Sequence, residues 1–510
     1  MSGFVVGRGP SAKVNVPAMF ERISHRGRFC QGAYARGSVC IAQNYLQADW
    51  PDVQPAEAAE AAPVMLADRD ALRLAYDGQI GNASELAQAA GVSDGPFRAE
   101  QAILGLYRQH GAGVLELLGD AIFALVIVDG DEVLAARDFL GVKTLYYGRG
   151  EDGTLYFASE LKSLSGVVED VHAFPPGCWM DATGTVTRFA DLPTAPPAPI
   201  GDSPETMAKT VHEILDRSVR CRVDFKRPTA CLLSGGMDSS AITALANELH
   251  RERFGPDKKL ATFAVGAADS GDLAAARRVA EHLGTNHEEV VIDLDDMLAV
   301  LPELIYVLEL FDPSSVRSSI SNFIISRHAA RRGYEVLLSG EGGDELFCGY
   351  AHFKDLSEKE RFDGQMEAIR YVKNTAALRL DRTNQWSSVR VVTPFVSGEL
   401  YEYTMRIPME YKVRDVEGRT VEKWILRKAF EGDLPREIIE RTKQEFSQGS
   451  GVAALMPKHF ETVYSDAELA AAQAEHPVVR TKEEMHYFRL FAEHYGTGSA
   501  VATVGQWKHF

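Results

Sequence analysis

An apolar run, Thr229-Ala230-Cys231-Leu232-Leu233, ends in Ser234-Gly235-Gly236-Met237-Asp238-Ser239-Ser240, and a helix-compatible stretch follows to His250. That order allows few folds. It reads as a buried strand, a glycine loop and a helix N-terminus. Such a junction presents unpaired backbone N–H groups and the positive end of a helix dipole, which together suit phosphate. Gly235 and Gly236 let backbone approach a phosphate closely, and Ser234, Ser239 and Ser240 add hydroxyl donors. Asp238 is the odd member. A carboxylate beside phosphate repels it unless a cation intervenes, so Asp238 reads as a Mg²⁺ ligand. An ordinary strand-to-helix turn also uses glycine and serine, but the full SGGxDSS is more specific. The missing GK[ST] argues against a Walker-type loop.

Strands and helices alternate on either side of this junction. Ser203-Pro204-Glu205 opens a helix with a good N-cap, and Met207, Val211, Ile214, Leu215 and Val219 form its apolar stripe. Strands are expected at 260–265, 289–293 and 334–338, and helices at 273–283, 297–308 and 319–332. Alternation of this kind implies a doubly wound parallel sheet with helices on both faces. Ligands of such sheets bind at the C-terminal ends of the strands. Three loops therefore meet: 234–240, the loop after Val265, and Ser339-Gly340-Glu341-Gly342-Gly343-Asp344. Asp344 is placed to complete a Mg²⁺ site with Asp238, and Glu341 to act as a general base.

Residues 1–190 read differently, as short strands and turns. Residues 121–128 (AIFALVIV) form a continuous apolar strand ended by Asp129-Gly130-Asp131, and 132–136 the returning strand of a hairpin. A helix is expected within 100–118, where Ile103, Leu106, Tyr107, Val114 and Leu117 recur at helical spacing. A proline-rich linker, 191–205, separates this domain from a second one at 206–510.

Several strings of the first domain resemble the glutaminase domain of class II glutamine amidotransferases, specifically that of asparagine synthetase. They are His25-Arg26-Gly27, Leu118-Gly119-Asp120-Ala121-Ile122-Phe123-Ala124, Ala136-Arg137-Asp138-Phe139-Leu140-Gly141-Val142-Lys143 and Phe157-Ala158-Ser159-Glu160-Leu161-Lys162. The resemblance implies an N-terminal-nucleophile-hydrolase-like α+β sandwich. The departures concern its chemistry. The family starts Met-Cys-Gly-Ile and uses that cysteine on glutamine; here Ser2 stands in its place, and a hydroxyl is a much weaker nucleophile near neutral pH. The family's Asn-Gly-Glu-x-x-Asn appears as Asp77-Gly78-Gln79-Ile80-Gly81-Asn82. An arginine that holds the glutamine carboxylate falls at Asn44, and an aspartate that holds its amine at Arg98. The expectation is a domain that keeps its structure and does not hydrolyse glutamine.

The 234–240 loop looks like the pyrophosphate loop of ATP pyrophosphatases, and the resemblance to asparagine synthetase continues to about residue 460. It implies ATP held by Leu233, Ser234, Gly235, Gly236, Asp238, Ser239, Ser240, Ser339 and Gly340, with Val265 against adenine. Ser314, Ser315 and Arg317 fall where the family holds aspartate, Tyr350 closes that pocket, and Lys443 faces the α-phosphate. Two departures lie nearby. The family's Arg-Ala-Ser-Thr-Pro-Met continues as Arg317-Ser318-Ser319-Ile320-Ser321-Asn322, and a family glycine is Cys348.

The implied enzyme is an ATP-dependent carbon–nitrogen ligase that needs ATP and Mg²⁺ and forms an acyl-adenylate from a small-molecule carboxylate. It then passes the acyl group to ammonia or an amine. Alternatives are a cyclising amide synthetase of the β-lactam synthetase or peptide cyclase kind, a glutamine-dependent asparagine synthetase using Ser2, a non-catalytic nucleotide-binding regulator, and a tRNA-modifying ATP pyrophosphatase. β-Lactam synthetases carry tyrosine at the Glu341 position, which argues against that closure. The formal net charge of -18 argues against nucleic acid or an anionic membrane as partner. Six cysteines without CxxC pairing argue against zinc and suit a reducing cytoplasm, with Cys231 and Cys348 as buried thiols. No signal segment or membrane-spanning run is read. A homodimer is compatible with the chain, and a capping role for 498–510 is left open.

Overall fold

The computed structural model describes residues 2–27, 29–49, 72–93, 95, 97–442 and 455–507. They form two compact units: Met1–Leu192 with Gln385–Arg390 and His494–Gly505, and Pro193–Asn384 with Val391–Glu493 and Gln506–Phe510. Gln385–Arg390 and His494–Gly505, assigned to the second domain by the sequence, thus group with the first unit.

In the first unit the strands are β1 (Ser2–Arg8), β2 (Cys30–Arg36), β3 (Val39–Tyr45), β4 (Leu72–Ile80), β5 (Ala121–Asp129), β6 (Glu132–Arg137), β7 (Tyr146–Arg149), β8 (Leu155–Ala158), β9 (Val171–Ala173), β10 (Cys178–Asp181) and β11 (Val186–Arg188). Among the described residues they make two antiparallel sheets, ordered β2-β3-β1-β8-β7-β9 and β11-β10-β6-β5-β4. The unbroken apolar run of β5 has a simple cause. Ala124, Val126 and Val128 pack with Phe4 and Val6 of the other sheet, whereas Phe123, Leu125 and Ile127 pack outward against Ala102, Ile103 and Leu106 of a helix. Alternate residues face opposite sides of a strand, so a strand buried on both faces loses its polar alternation. The hairpin forms as expected, with Asp129 paired to Glu132. The helix expected within 100–118 runs over Arg98–His110 and stops at Gly111, whose φ is +57; a 3₁₀ turn and a short helix, Val114–Leu117, follow.

The second unit carries the parallel sheet. β12 (Thr229–Leu232), β13 (Ala261–Gly266), β14 (Asn286–Val291), β15 (Val336–Leu338) and β16 (Arg390–Val392) lie in the order β14-β13-β12-β15-β16. β12 is parallel to both β13 and β15. The chain steps from β12 outward to β14 and then returns to the other side of β12, so the strand order reverses between β12 and β15. A crevice opens at such a reversal, outside the carboxyl ends of the strands. The helix Pro204–Arg222 starts where its cap and proline place it: Ser203 accepts from the N–H of Thr206 at 3.2 Å.

Cys40, Cys178, Cys231 and Cys348 are buried free thiols and Cys221 is an exposed one. Burial pushes the Cys231 thiol up to about 12 and that of Cys348 up to about 11. No helix of the described residues is long and apolar enough to cross a membrane.

Candidate active site

The reversal between β12 and β15 sets two loops against each other. Gly235 has φ +73, and a Cβ there would lie 2.4 Å from the backbone nitrogen of Ala276. A Cβ on Gly340 would lie 2.5 Å from the backbone nitrogen of Ser239. Both glycines are therefore required by close approach rather than by flexibility. Beyond the first loop, the helix Met237–Phe254 begins with Gly236 as N-cap and no side-chain cap, which leaves its first N–H groups aimed into the crevice. The hydroxyls of Ser234 and Ser239 lie 3.0 Å apart beside it.

A cavity with about 1140 Å³ of empty space, part of it open to solvent, fills the crevice. Leu233, Ser234, Gly236, Asp238 and Ser239 line it from the first loop, and Ser339, Gly340, Glu341 and Asp344 from the second. Val265, Ser314 and Tyr350 complete the expected set. Four other sequence candidates lie off the wall. Gly235 supports the turn from behind. Ser240 is fully buried in its helix. Ser315 gives its backbone N–H to Asp312, at 3.0 Å, as part of a helix cap. Arg317 faces Glu483, with Nη1 3.3 Å from Oε2, rather than the cavity. Lys443 lies outside the described residues.

Three further wall residues were not among the sequence-predicted site residues. Arg379, from the helix Ala376–Trp386, lines the cavity and is ion-paired through Nη2 to Glu341, while its buried Nε has no hydrogen-bond partner. Asn322, at the end of the departing string after Arg317, lines the cavity with its Nδ2 likewise buried and unpartnered. Trp507 reaches the wall with its backbone N–H on Asp312 Oδ2 at 3.1 Å, and its ring is 5.9 Å from that of Tyr350. The C-terminal stretch whose role the sequence left open thus supplies part of the wall.

The floor is strongly charged. Lys423, 1 % exposed, sets its ammonium between Asp238 Oδ2 and Asp344 Oδ1, the latter at 2.5 Å. The two carboxylates expected to hold a metal therefore converge on one point. Two hard oxygen donors, with phosphate and water to complete the shell, fit Mg²⁺. No cluster of three metal-ligating side chains occurs among the described residues. Behind the wall, Tyr350 Oη donates to Glu345 Oε1 at 2.8 Å. Burial, reinforced by the charges of Asp344 and Glu341, pushes the Glu345 carboxyl up to about 7. Cys348 has φ +53, in the left-handed region that favours glycine, the residue the resemblance implies there, and its Sγ packs 3.6 Å from Met409 Sδ.

The first unit handles its expected site in another way. The Ser2 hydroxyl donates to the carbonyl of Tyr76 at 2.7 Å, and the Ser2 N–H donates to Asp77 Oδ1 at 3.0 Å. Arg26 joins Asp77 Oδ2 at 2.9 Å and Glu160 Oε1 at 2.7 Å; Lys143 joins Asp77 at 3.1 Å, and Lys162 joins Glu160. All five of these ionic side chains are buried. Asn44 is also buried, accepting from the N–H of Gly3 at 2.8 Å and donating to the carbonyl of Ile23 at 2.7 Å. Gln79 lies at the half-buried end of β4, and Arg98 is at the start of its helix, 3.4 Å from the Ser84 hydroxyl.

An asparagine synthase family model matches residues 210–377 and 363–496, and a glutamine amidotransferase domain model matches residues 1–175. The glutamine-hydrolyzing asparagine synthetase 1 of Lotus japonicus is 31% identical over 520 residues, covering 96% of this chain and 85% of its own. The glutamine-hydrolyzing asparagine synthetase 3 of Arabidopsis thaliana is 32% identical over 427 residues, covering 79% of this chain and 72% of its own. A solved glutamine phosphoribosylpyrophosphate amidotransferase from B. subtilis gives a distant likeness, with TM-score 0.30 and 16% identity over 57% of this chain and 81% of that one. The protein is thus an ATP-dependent, AMP-forming carbon–nitrogen ligase. It belongs to the asparagine synthase family.

Proposed function

We propose that the protein adenylates a small-molecule carboxylate and transfers the acyl group to ammonia or an amine, without hydrolysing glutamine. The observation that carries this reading is one open and one closed site in the same chain. The cavity at the β12–β15 reversal keeps glycine loops suited to phosphate, two convergent carboxylates and Glu341 on its wall. Around Ser2, every ionic side chain named above is spent on another, and the hydroxyl is spent on a carbonyl.

In this reading the N–H groups of the first loop, with the Ser234 and Ser239 hydroxyls, hold the β- and γ-phosphates, and Val265 lies against adenine. Asp238 and Asp344 would hold Mg²⁺, which would supply positive charge on the pyrophosphate side. The substrate carboxylate attacks the α-phosphorus, the bond to the bridging oxygen breaks, and pyrophosphate leaves with that electron pair. The nitrogen nucleophile then attacks the acyl carbon, Glu341 takes its proton, and AMP departs. Lys443 keeps the α-phosphate role that the resemblance implies. The anion-binding role expected of Arg317 passes to Arg379, whose guanidinium has an unpartnered Nε at the cavity wall.

The relatives named above are glutamine-hydrolyzing, so nitrogen supply is the point to test. Pyrophosphate release is measured with Mg-ATP and a panel of carboxylates, aspartate included, with ammonia, amines or glutamine as separate nitrogen sources. The expected result is carboxylate-dependent release that ammonia or an amine converts to amide, with glutamine inert. Glutamine hydrolysis that Ser2→Ala abolishes overturns the second half of the proposal.

A further inference from the structure

Lys423 has no part in the mechanism above, yet the chain is built around it. Its ammonium contacts Asp238 and Asp344, 185 residues before it in the first case, in a fully enclosed position. Its own backbone is left-handed, with φ +54, at the start of the helix Trp424–Ala429. Space is cleared for it: a Cβ on Gly349 would lie 2.0 Å from Lys423 Cε and 2.1 Å from Asp344 Oδ1. A Cβ on Gly343 would lie 2.6 Å from Asp238 Cγ. A left-handed backbone at Lys423, a bare glycine against its ammonium and a second against its partner Asp238 mark a built position rather than a chance ion pair.

We infer that Lys423 is a resident counter-ion that the metal must displace, so that a divalent cation binds weakly until nucleotide phosphate receives the displaced ammonium. This rests on reading Asp238 and Asp344 as the metal ligands. The argument is one of charge. Two carboxylates this close repel unless a cation lies between them, and the ammonium supplies one charge of the two needed. A divalent ion on the same oxygens would stand in contact with the ammonium, so the two cations exclude each other. Phosphate oxygens delivered by the neighbouring loop offer the ammonium a new partner. Nucleotide and metal then each favour the other's binding, and by linkage the effect is reciprocal. The consequence is a site that stays ordered and closed to stray metal, and admits it with substrate.

The test is binding, not turnover. Free Mn²⁺ is counted by electron paramagnetic resonance against the full-length protein without nucleotide, for wild type, Lys423→Met, Asp238→Asn and the double variant Lys423→Met with Asp238→Asn, with thermal unfolding run in parallel. Lys423→Met is expected to bind Mn²⁺ at least tenfold more tightly than wild type, to unfold earlier when metal-free, and to regain its melting temperature on adding Mn²⁺. Lys423→Met binding no tighter than wild type, or not at all at millimolar Mn²⁺, overturns the inference. Asp238→Asn leaving Mn²⁺ affinity unchanged in the Lys423→Met background instead overturns the assignment of the metal ligands. Lys423→Gln, which keeps a polar tip, serves if Lys423→Met does not fold.

Discussion

The Ser2 network and the β12–β15 crevice each gather five ionic side chains and use them to opposite ends. Around Ser2, Arg26, Lys143 and Lys162 are matched against Asp77 and Glu160 at zero to two per cent exposure. Around the β12–β15 crevice, Lys423, Asp238, Asp344, Glu341 and Arg379 are also paired, but four of the five form the wall of a cavity. A closed network satisfies its charges from within and asks nothing of a ligand. An open one holds its charges together only loosely against a substrate that can outbid the internal partner. Charge burial by itself therefore does not separate structure from chemistry; access does.

The sharpest way to break the comparison is to remove one partner from the closed network. Asp77→Ala leaves Arg26 and Lys143 short of a carboxylate at full burial, which is expected to cost about 3–5 kcal/mol of stability, read by urea denaturation. A loss below 1 kcal/mol would mean that water reaches the network and that it is not closed. On the open side the loss falls on rate. Asp238→Asn is expected to lower carboxylate-dependent pyrophosphate release about a hundredfold or more, whereas Ser2→Ala leaves it unchanged. Equal loss in both variants would put Ser2 back among the working residues.

The sequence was legible where function leaves a local string. Close backbone approach demands glycine, so Gly235 and Gly340 announce both loops without any knowledge of the fold. The parallel sheet followed from alternation, although the helix Pro313–Arg331 starts six residues before the expected 319. Its first turn is polar, Ser314-Ser315, and only the Asp312 cap and Pro313 mark it. Arg317 shows the opposite limit. Resemblance gave its position, but its partner Glu483 comes from 166 residues further on. Lys423 and Arg379 escape a sequence reading for the same reason: each reaches the crevice from a distant segment in which nothing about its neighbours is unusual, whereas Trp507 lies in the 498–510 stretch whose capping role the sequence leaves open.

Acid distinguishes the two regions by sign. The Glu345 carboxyl is held up near 7 by burial and by Asp344 and Glu341, so the folded chain keeps its proton more tightly than the unfolded chain. Its stabilising contribution is full below about pH 4.5 and is lost as pH rises through about 7, by up to about 3 kcal/mol. His25 beside the closed network is depressed by burial, which outweighs the pull of Glu160. Its contribution is full above its ordinary value of 6.5 and falls as pH drops. Glu345→Gln is therefore expected to make denaturation stability rise more steeply with pH between about 4.5 and 7. A profile identical to wild type would show that Glu345 is hydrated and that the wall behind Tyr350 is as open as the cavity.

The smallest effect bears on the open site alone. Arg379 has one internal partner, Glu341, and an Nε without any. If the guanidinium receives an anionic group of the substrate, Arg379→Met removes a charge-assisted hydrogen bond worth about 1.5–3 kcal/mol in the bound state. The acceptor KM is then expected to rise roughly ten- to a hundredfold, with kcat changed much less because the contact exists before and during the reaction. Arg317→Met, facing Glu483 instead of the cavity, should leave KM within about twofold. The reverse order, with Arg317 governing KM, would require the Arg317–Glu483 pair to part when substrate arrives. The crevice would then resemble the Ser2 network in the free protein and become open only on binding, which would erase the contrast between the two units.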